Sequence, residues 1–327
     1  MADTLADLSR AIIAARAVDE TDVMTLRKLV WADQALNRDV LDHLFQINDT
    51  LSAPSLAFTD MFCEAVVHYA LRQSPSHNFI TEKTAHWLEA RFCADGRLES
   101  HAELETLVHI LEQAENAPET LKLRAIAQIE SAILTGIGPT RKAGDIRPGT
   151  VDAAEVTLLR RLIFARGGDS GLVVSAHEAE RLFSIKDATL GADNAPEWTL
   201  LFVQAVGNHL MAHNAFRGIS REEATRLNAV MDDAQVSIGG FLRRVSDSFS
   251  LKTLLSPKAA FGGQERRWAD ENAIAADRAI IRSEVDWLKS QIVADAKTDA
   301  LEKALLAFIA EETASLNPGL EELRRVA

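Results

Sequence analysis

Val18–Trp31 reads VDETDVMTLRKLVW, and a closely similar stretch, VDAAEVTLLRRLIF, occupies Val151–Phe164. Three more pairs of similar segments follow in the same order: Leu44–Asp49 with Leu182–Asp187, Phe58–Leu71 with Trp198–Met211, and Ile80–Lys83 with Ile219–Glu222. The offset between the two members of a pair varies only from 133 to 140 residues. Similar segments in a constant order are typical of an internal duplication. The sequence therefore predicts two related modules in tandem.

The repeated segments have the apolar spacing of amphipathic helices. Val23, Leu26 and Val30 recur at intervals of three and four residues, as do the leucines of 104–111. This spacing places apolar side chains on one face of a helix. The sequence contains no alternating apolar and polar run that is long enough for a strand. The predicted fold class is all-α, a helix bundle of two duplicated modules built from helix pairs.

The duplication also predicts where the modules begin and end. They are a first module at 1–134, a linker at 135–150 and a second module at 151–327. The linker, TGIGPTRKAGDIRPGT, contains glycine, proline and basic residues without an apolar period, which is typical of a loop. A weaker match of His86–Leu111 with Asp286–Ile309 leaves about 232–283 as an insertion in the second module.

The composition excludes several classes of protein. Of 327 residues, 47% are hydrophobic and 25% are charged, the balance of a globular protein with a sizeable core. The net charge of -13 argues against general nucleic-acid binding, because phosphate contacts need clustered lysine and arginine. The presence of only 2 cysteines rules out a disulfide framework and a cysteine-based zinc finger.

Two features predict a cytoplasmic location. No apolar run approaches the roughly 18 residues that a membrane span needs. The N-terminal stretch carries acids before its apolar part and lacks the basic region of a secretory signal. The alanine-rich, lysine-poor composition also suggests a bacterial origin.

The sequence contains no catalytic motif, so a non-catalytic protein is predicted. Phosphate-binding glycine loops, the H-E-x-x-H zinc motif and the G-x-S-x-G nucleophile motif are all absent. His209 and His213 have the i, i+4 spacing that can place two imidazoles on one metal ion. The first module has Tyr69 and Gln73 at these positions, which favours one packed histidine and one at a helix end. A hydrolase that uses the pair is a more distant alternative.

The remaining histidines and cysteines of interest have structural interpretations. His86 and His109 lie beside apolar residues and are predicted to be partly buried helix residues rather than bases. Cys63 lies in an apolar helical segment and is predicted to be in the core, whereas Cys93 precedes a turn. Neither cysteine has a neighbour in sequence that would activate a thiolate.

Several predicted helices begin with an apolar residue, a capping residue and a glutamate three positions later. Ser100 with Glu103, Ser175 with Glu178, and Ser220 with Glu223 follow this pattern, and Asn37 and Thr81 keep the cap alone. In a capping box the serine hydroxyl accepts a hydrogen bond from the backbone amide at position N3. The glutamate side chain in turn accepts a hydrogen bond from the backbone amide of the capping residue. The pattern therefore predicts helix starts.

The same pattern also ends an EF-hand loop, where the last glutamate chelates calcium and earlier positions supply oxygen ligands. The earlier positions before Glu178 would be Gly167, Asp169 and Gly171, and those before Glu223 would be Ala212, Asn214 and Phe216. One aspartate or asparagine in each loop is too few for a hard dication. Capping explains both glutamates without a metal ion, and calcium binding is the alternative.

A short motif links the chain to a known family. Ala94–Leu98 reads ADGRL, and Trp31–Leu36 is a fainter version, WADQAL. These segments resemble the TerB-like helical domains associated with tellurite resistance, where such a turn precedes an acidic helix start. The resemblance implies a helical, metal-responsive, non-catalytic module. Together with the EF-hand pattern it makes the candidate metal ligands Asp95, Glu99, Glu103, Asp169, Glu178 and Glu223.

The segment 237–262, within the predicted insertion, has an unusual composition. It holds four basic residues and one acidic residue, in a chain of net charge -13. Its candidate binding residues are Phe241, Leu242, Arg243, Arg244, Phe249, Lys252, Leu254 and Leu255. Basic and apolar residues between glycines and serines suit a partner groove or an anionic membrane surface. The third interpretation is an insertion that folds back onto its own module.

Two functions follow from these observations. The first is a non-catalytic adaptor or regulator that binds a protein partner through the groove between the modules or through 237–262. The second is a divalent-metal-binding stress-response protein of the TerB-like or degenerate EF-hand type. The first requires no cofactor, and the second requires a divalent metal ion.

Overall fold

The computed structural model describes most of the chain outside the predicted insertion. The described residues are 4–32, 36–52, 54–72, 78–92, 97–98, 100–141, 147–167, 173–217, 282–292, 298–312 and 320–321. Of 212–217, 282–283 and 312 only the backbone is described.

The described residues form twelve α-helices and no strand, which confirms the all-α prediction. The helices are α1 Leu5–Ala15, α2 Glu20–Val30, α3 Arg38–Thr50, α4 Leu56–Arg72, α5 Glu82–Phe92, α6 His101–Gln113, α7 Glu119–Thr135, α8 Ala153–Ile163, α9 Ala176–Ala188, α10 Glu197–Arg217, α11 Arg282–Ile292 and α12 Ala300–Glu312. The described residues of the predicted linker, from Gly136 onward, are not helical. Within the described parts, no helix has the length and apolar character needed to cross a membrane.

The chain divides into two compact units. One contains Met1–Leu172 and Ser184–Ala195, and the other contains Val173–Phe183 and Pro196–Ala327. The boundary between the units falls within α9, and α8 belongs to the first unit. The predicted module boundaries, which follow the repeat in sequence, stay a prediction.

Side-chain caps begin several helices as the sequence predicts. Ser100 and Glu103 form a complete capping box at α6, and Ser175 and Glu178 exchange the same two hydrogen bonds at α9. The Asn37 side chain accepts from the amide of Val40 at the start of α3. Three acidic boxes were not predicted: Asp19 with Asp22, Asp152 with Glu155, and Asp299 with Glu302. Ser220 and Glu223 lie outside the described residues.

In the first unit, α4 packs along α6 and the core centres on Phe45 of α3. The Phe45 ring meets Phe62, Trp87 and Phe92 at centroid distances of 5.2, 6.2 and 5.5 Å. The leucines of α6 that share one face are fully buried, as their spacing predicts. His86 was predicted to be partly buried, and this is wrong. Its side chain is exposed because Ala85, Leu88 and Phe92 form the core side of α5.

In the second unit, α10 packs along α12 and Phe183 of α9 has the central place. The Phe183 ring meets Phe202 and Trp287 at centroid distances of 5.1 and 5.8 Å. Gly207 allows the close approach of α12, because a Cβ at this glycine would lie 2.6 Å from Cε1 of Phe308. The small residue on α10 therefore accommodates the large one on α12.

Four of the helix pairs that the sequence repeat matches have equal lengths, whereas α4 and α10 have 17 and 21 residues. α2 and α8 have 11 residues each, α3 and α9 have 13, α5 and α11 have 11, and α6 and α12 have 13. The perpendicular ring pairs Phe45–Phe62 and Phe183–Phe202 also correspond. The origin of the two halves by duplication stays a prediction, and these correspondences are consistent with it.

Candidate functional site

Glu103, a candidate metal ligand, lies at the start of α6 in the first unit and is only 5% exposed. Its Oε2 accepts a hydrogen bond of 3.2 Å from the amide of Ser100, and its Oε1 accepts one of 3.0 Å from Nδ2 of Asn48. Asn48 is buried at the end of α3. The carboxylate thus joins the start of one helix to the end of another, which is a structural role.

Glu178, the second described candidate, lies at the start of α9 and is 2% exposed. Its Oε2 accepts a hydrogen bond of 3.0 Å from the amide of Ser175, and its amide donates to the Ser175 hydroxyl at 3.2 Å. This is the capping arrangement that the sequence offered as the alternative to a calcium ligand. The other candidate ligands lie outside the described residues: Asp95, Glu99, Asp169 and Glu223.

The candidate binding segment 237–262 also lies outside the described residues. Its residues are Phe241, Leu242, Arg243, Arg244, Phe249, Lys252, Leu254 and Leu255. Their assignment to partner binding therefore stays a prediction.

Four titratable side chains meet where α8 packs against α6. The sequence did not predict them as a group. Glu105, His109 and Glu112 lie on one face of α6 because they are spaced by four and three residues, and Arg161 projects from α8. The Arg161 Nε and Nη2 donate to the two oxygens of Glu112 at 2.8 and 2.9 Å, and its Nη1 donates to Oε1 of Glu105 at 2.5 Å. We call these four residues the α6–α8 charge cluster.

His109 completes the charge cluster. Its Nε2 lies 3.3 Å from Oε1 of Glu105, and its Nδ1 lies 3.5 Å from Oε2 of Glu112. The side chain is 40% exposed, in agreement with the prediction of a partly buried residue. The imidazole therefore stands between the two carboxylates that Arg161 also contacts.

The close contacts in the charge cluster shift the pKa values of three of its side chains. The hydrogen bond with His109, followed by the hydrogen bond from Arg161, lowers the pKa of Glu105 to about 2. The hydrogen bond to Glu105 raises the pKa of His109, although partial burial opposes this. The hydrogen bonds to Glu112 and Glu105 raise the pKa of Arg161. The spacing of the three α6 residues was the only signal in the sequence, since Arg161 comes from a distant segment.

Cys63 of α4 is half-buried and lies beside Thr106 of α6. Burial raises the pKa of its thiol to about 11. The thiolate is the reactive form of cysteine. Cys63 therefore keeps its proton at neutral pH and is poorly suited to nucleophilic chemistry. It was predicted to lie in the core, and it is half-buried instead.

His209 is buried in the second unit and has a structural partner. Its Nδ1 lies 2.9 Å from the carbonyl oxygen of Val174, and its ring meets Trp287 at a centroid distance of 4.8 Å. The adjacent Asn208 accepts a hydrogen bond of 2.8 Å from the amide of Val174. Two side chains of α10 thus hold both backbone groups of Val174, shortly before α9 begins. The side chain of His213 is outside the described part of the chain.

An ion pair of the linker is almost completely buried. The Arg141 Nη2 donates to Oε2 of Glu155 at 2.7 Å, and the Thr140 hydroxyl donates to Oε1 of the same carboxylate at 2.8 Å. The Arg141 and Glu155 side chains are 3% and 0% exposed. Burial raises the pKa of Glu155, although hydrogen bonds from Asp152 and Thr140 oppose the shift. The pair attaches the predicted linker to the start of α8.

Comparisons with known protein families, with curated proteins and with solved structures found no match to this chain. The resemblance to TerB-like domains and to EF-hand pairs therefore stays a prediction. The chemistry of the chain's own residues is the basis for a functional inference.

Proposed function

We propose that this protein is a non-catalytic helical binding protein that holds a protein partner through the segment 237–262. The observation that carries the proposal is the charge contrast. The segment holds four basic residues against one acidic residue, whereas the whole chain has a net charge of -13. A local reversal of charge with apolar anchors is a feature of surfaces that recognise a partner.

The described residues support a scaffold role for the rest of the chain. Glu103 and Glu178 cap helices, His209 holds the backbone before α9, and the Cys63 thiol stays protonated at neutral pH. These groups would be the first candidates for catalysis or metal binding. Their hydrogen bonds instead stabilise the helices and their packing.

The composition of the segment indicates the chemistry of its partner. Arg243 and Arg244 are adjacent, and Phe241 and Phe249 are the nearest aromatic residues on either side of them in the sequence. Arginine forms paired hydrogen bonds with carboxylates, and buried aromatic side chains dominate binding energy at interfaces. The partner we propose is therefore a protein with an acidic rim around an apolar groove.

The divalent-metal alternative rests on the six candidate metal ligands that the sequence predicts: Asp95, Glu99, Glu103, Asp169, Glu178 and Glu223. In two of them, Glu103 and Glu178, the carboxylate accepts the backbone amide of its capping residue. A metal ion at either position would compete with these hydrogen bonds. We therefore prefer the partner-binding proposal, and thermal unfolding with metal ions tests the alternative.

The experiment uses the full chain with a photo-crosslinking amino acid at Leu251, expressed in its native cells. The double charge reversal R243E/R244E should abolish the crosslink to the partner and leave the melting temperature unchanged. The matched control is R10E/K28E, which reverses two exposed basic residues of the described structure. We expect this control to keep the crosslink.

Three outcomes would contradict the proposal. One is an unchanged crosslink in R243E/R244E. Another is unfolding on deletion of 237–262, which would make the segment part of the fold. The third is cosedimentation of the purified chain with anionic vesicles that R243E/R244E abolishes, which would assign the segment to a membrane surface.

A further inference from the structure

We infer that α2 and α12 carry the two halves of a contact like the one between α6 and α8, and that four residues keep a second copy of this chain from docking there: Thr25, Lys303, Ala307 and Ala310. In such a docking, α2 of one copy would lie on α12 of another copy as α8 lies on α6. Both helices belong to described parts of the chain, so this interaction is independent of the function assigned to 237–262.

The contact between α6 and α8, which we call the joint, has a well-defined surface on α6. Arg161 of α8 donates two hydrogen bonds to Glu112 of α6, and just after α8 the amide of Gly167 donates to the carbonyl oxygen of Leu111 at 3.0 Å. Val108 lies three residues before Leu111 and four before Glu112, so it is their neighbour on the helix surface. The joint surface of α6 therefore includes Val108 and Leu111, which are both completely buried.

The helix α12 corresponds to α6 position by position. Both have 13 residues, and in each a buried glutamate at the third position accepts a hydrogen bond from the amide of the capping residue: Glu103 in α6 and Glu302 in α12. Counted from these glutamates, both helices bury the same three positions: Thr106, Leu107 and Ile110 in α6, and Leu305, Leu306 and Ile309 in α12. Residues of α12 can therefore be compared with the α6 residues that lie at the same distance from the cap.

The joint surface of α12 is open, unlike that of α6. On α6 it consists of three apolar residues that are completely buried: Leu104, Val108 and Leu111. Their counterparts on α12 are Lys303 and Ala307, which are exposed, and Ala310, which is half-buried. A helix that docked on α12 would gain little apolar contact from the two alanines and would have to cover a lysine, whose charged ammonium is costly to bury.

The helix α2 corresponds to α8 in the same way, since both have 11 residues and begin with a capping box. Along the face that carries Arg161, three apolar residues of α8 and the segment just after it are buried: Leu158, Leu162 and Ala165. Their counterparts in and just after α2 are Thr25 and Leu29, which are half-buried, and Ala32, which is exposed. The joint surface of α2 is therefore also open, and the polar Thr25 stands where α8 has a leucine.

The two open surfaces keep the complementary charges of the joint. Lys28 of α2 has the place of Arg161, and Glu311 of α12 has the place of Glu112. Both side chains are exposed. In a docked pair of copies, Lys28 would face Glu311 as Arg161 faces Glu112. The charges thus define how α2 would lie on α12, whereas the apolar residues that would hold it there are missing.

Docking of this kind does not close on itself. A copy that offers its α2 still has a free α12, so each addition leaves another surface open, and such contacts build rings or filaments. Apolar residues on both surfaces would therefore make the chain assemble with itself. The four substituted residues prevent this assembly.

The test restores each half of the joint in a separate full-length variant. T25L/K28R gives α2 two residues of α8, and K303L/A304E/A307V/A310L gives α12 four residues of α6. Light scattering after size-exclusion chromatography measures the mass in solution. We expect each variant alone to keep the mass of the wild type, because its other surface is still closed. An equimolar mixture should form a complex of twice that mass.

Two further variants of α2 show whether the docking is specific. The matched control T21L/K28R places the leucine at Thr21, whose counterpart Ala154 stays exposed on α8. We expect it not to bind the α12 variant. T25L/K28E should also fail to bind, because Lys28 is then an acid that faces Glu311. Binding should return when the α12 variant is K303L/A307V/A310L/E311K, which reverses the charge on the other side.

Three results would overturn the proposal. One is a mixture of the two restored variants that forms no complex. Another is equal binding by T25L/K28R and the control T21L/K28R. The third is self-association of the wild type that K28E abolishes, because the two surfaces would then already be open to a second copy. If circular dichroism shows that the fourfold α12 variant does not fold, A307V/A310L takes its place, and a mixture without a complex overturns the proposal in the same way.

Discussion

At the scale of single residues, a buried glutamate three positions after a helix cap recurs through the described structure. Glu103, Glu155, Glu178 and Glu302 all occupy this place and are nearly inaccessible to solvent. The side chain is long enough to reach back to the amide of the cap, and its methylene groups pack against the core. Each such glutamate therefore stabilises a helix start and the packing around it.

Replacement of Glu103 by alanine should lower the free energy of unfolding by about 1–2 kcal/mol, because Ser100 and Asn48 each lose an acceptor. Glutamine should cost less, since it keeps one carbonyl acceptor. Urea unfolding measures both variants against E20A, which removes an exposed carboxylate from the first turn of α2. Equal losses in E103A and E20A would contradict the prediction.

A glycine has a different role at the end of α6. The amide of Gly167 donates to the carbonyl oxygen of Leu111, and a Cβ at Gly167 would lie 2.7 Å from that oxygen. We expect Gly167→Ala to lower the free energy of unfolding by about 1–3 kcal/mol, because the backbone must move apart. The comparison is Gly191→Ala, where a Cβ meets no atom within 4 Å and only the positive φ of 79° is strained. A smaller loss at Gly167 than at Gly191 would argue against the close contact.

At the scale of elements, the two long helix pairs use different side chains at matching positions. Gly207 of α10 meets Phe308 of α12, whereas the predicted repeat matches these residues in sequence to Val67 of α4 and His109 of α6. In the α10–α12 pair, a residue without a side chain on one helix goes with a large aromatic residue on the other. Helix pairs tolerate such exchanges when the total volume at the contact is kept.

This complementarity predicts strong coupling between Gly207 and Phe308. Gly207→Ala alone should lower the free energy of unfolding by about 1–3 kcal/mol through overpacking. Phe308→Ala alone should lower it by about 1–2 kcal/mol, because a partly buried ring loses its apolar contacts. The double variant should cost clearly less than the sum, because the smaller side chain at 308 leaves room for the Cβ at 207. Chemical unfolding of the four proteins measures this coupling, and additive losses would contradict it.

The contact between α6 and α8 contains charged side chains that hydrogen-bond to one another. The guanidinium of Arg161 forms a two-pronged contact with Glu112 and a third bond to Glu105. Such a fork has a fixed geometry that lysine cannot reproduce. The contact therefore specifies how α8 lies on α6 and also places His109 between two carboxylates.

At the scale of the whole molecule, the two functional hypotheses differ in whether a metal ion stabilises the chain. A ligand present at about 100 times its dissociation constant adds about 2.7 kcal/mol to the free energy of unfolding, which is a shift of several degrees. The partner-binding proposal predicts the same melting temperature in EDTA and in calcium, magnesium, zinc or manganese. The two described candidate ligands, Glu103 and Glu178, already use their carboxylates to cap helices, which agrees with that expectation.

A clear rise of the melting temperature with one of these metals would contradict that expectation and favour the metal-binding hypothesis. The variants E178Q and E103Q would then separate two sources of the shift. A shift lost in either variant would assign the ion to that capping glutamate, whereas a shift kept in both would assign it to acids elsewhere.

The sequence by itself determined the helical class, several helix starts and the apolar faces. These features are local, since a cap and its hydrogen bonds span four residues and an apolar stripe repeats within two turns. Asn37, Ser100 and Ser175 cap helices where the pattern predicts. The functional prediction for 237–262 likewise comes from composition alone, and it falls outside the described residues.

The tertiary structure decided which distant residues meet. Arg161 lies 49 and 56 residues from its two carboxylates, and His209 lies 35 residues from the carbonyl that it contacts. These pairings depend on the angle and register at which helices pack, and both arise from the shapes of many buried side chains together. For this reason the spacing of Glu105, His109 and Glu112 was visible in the sequence, whereas the arginine that makes them a charge cluster was not.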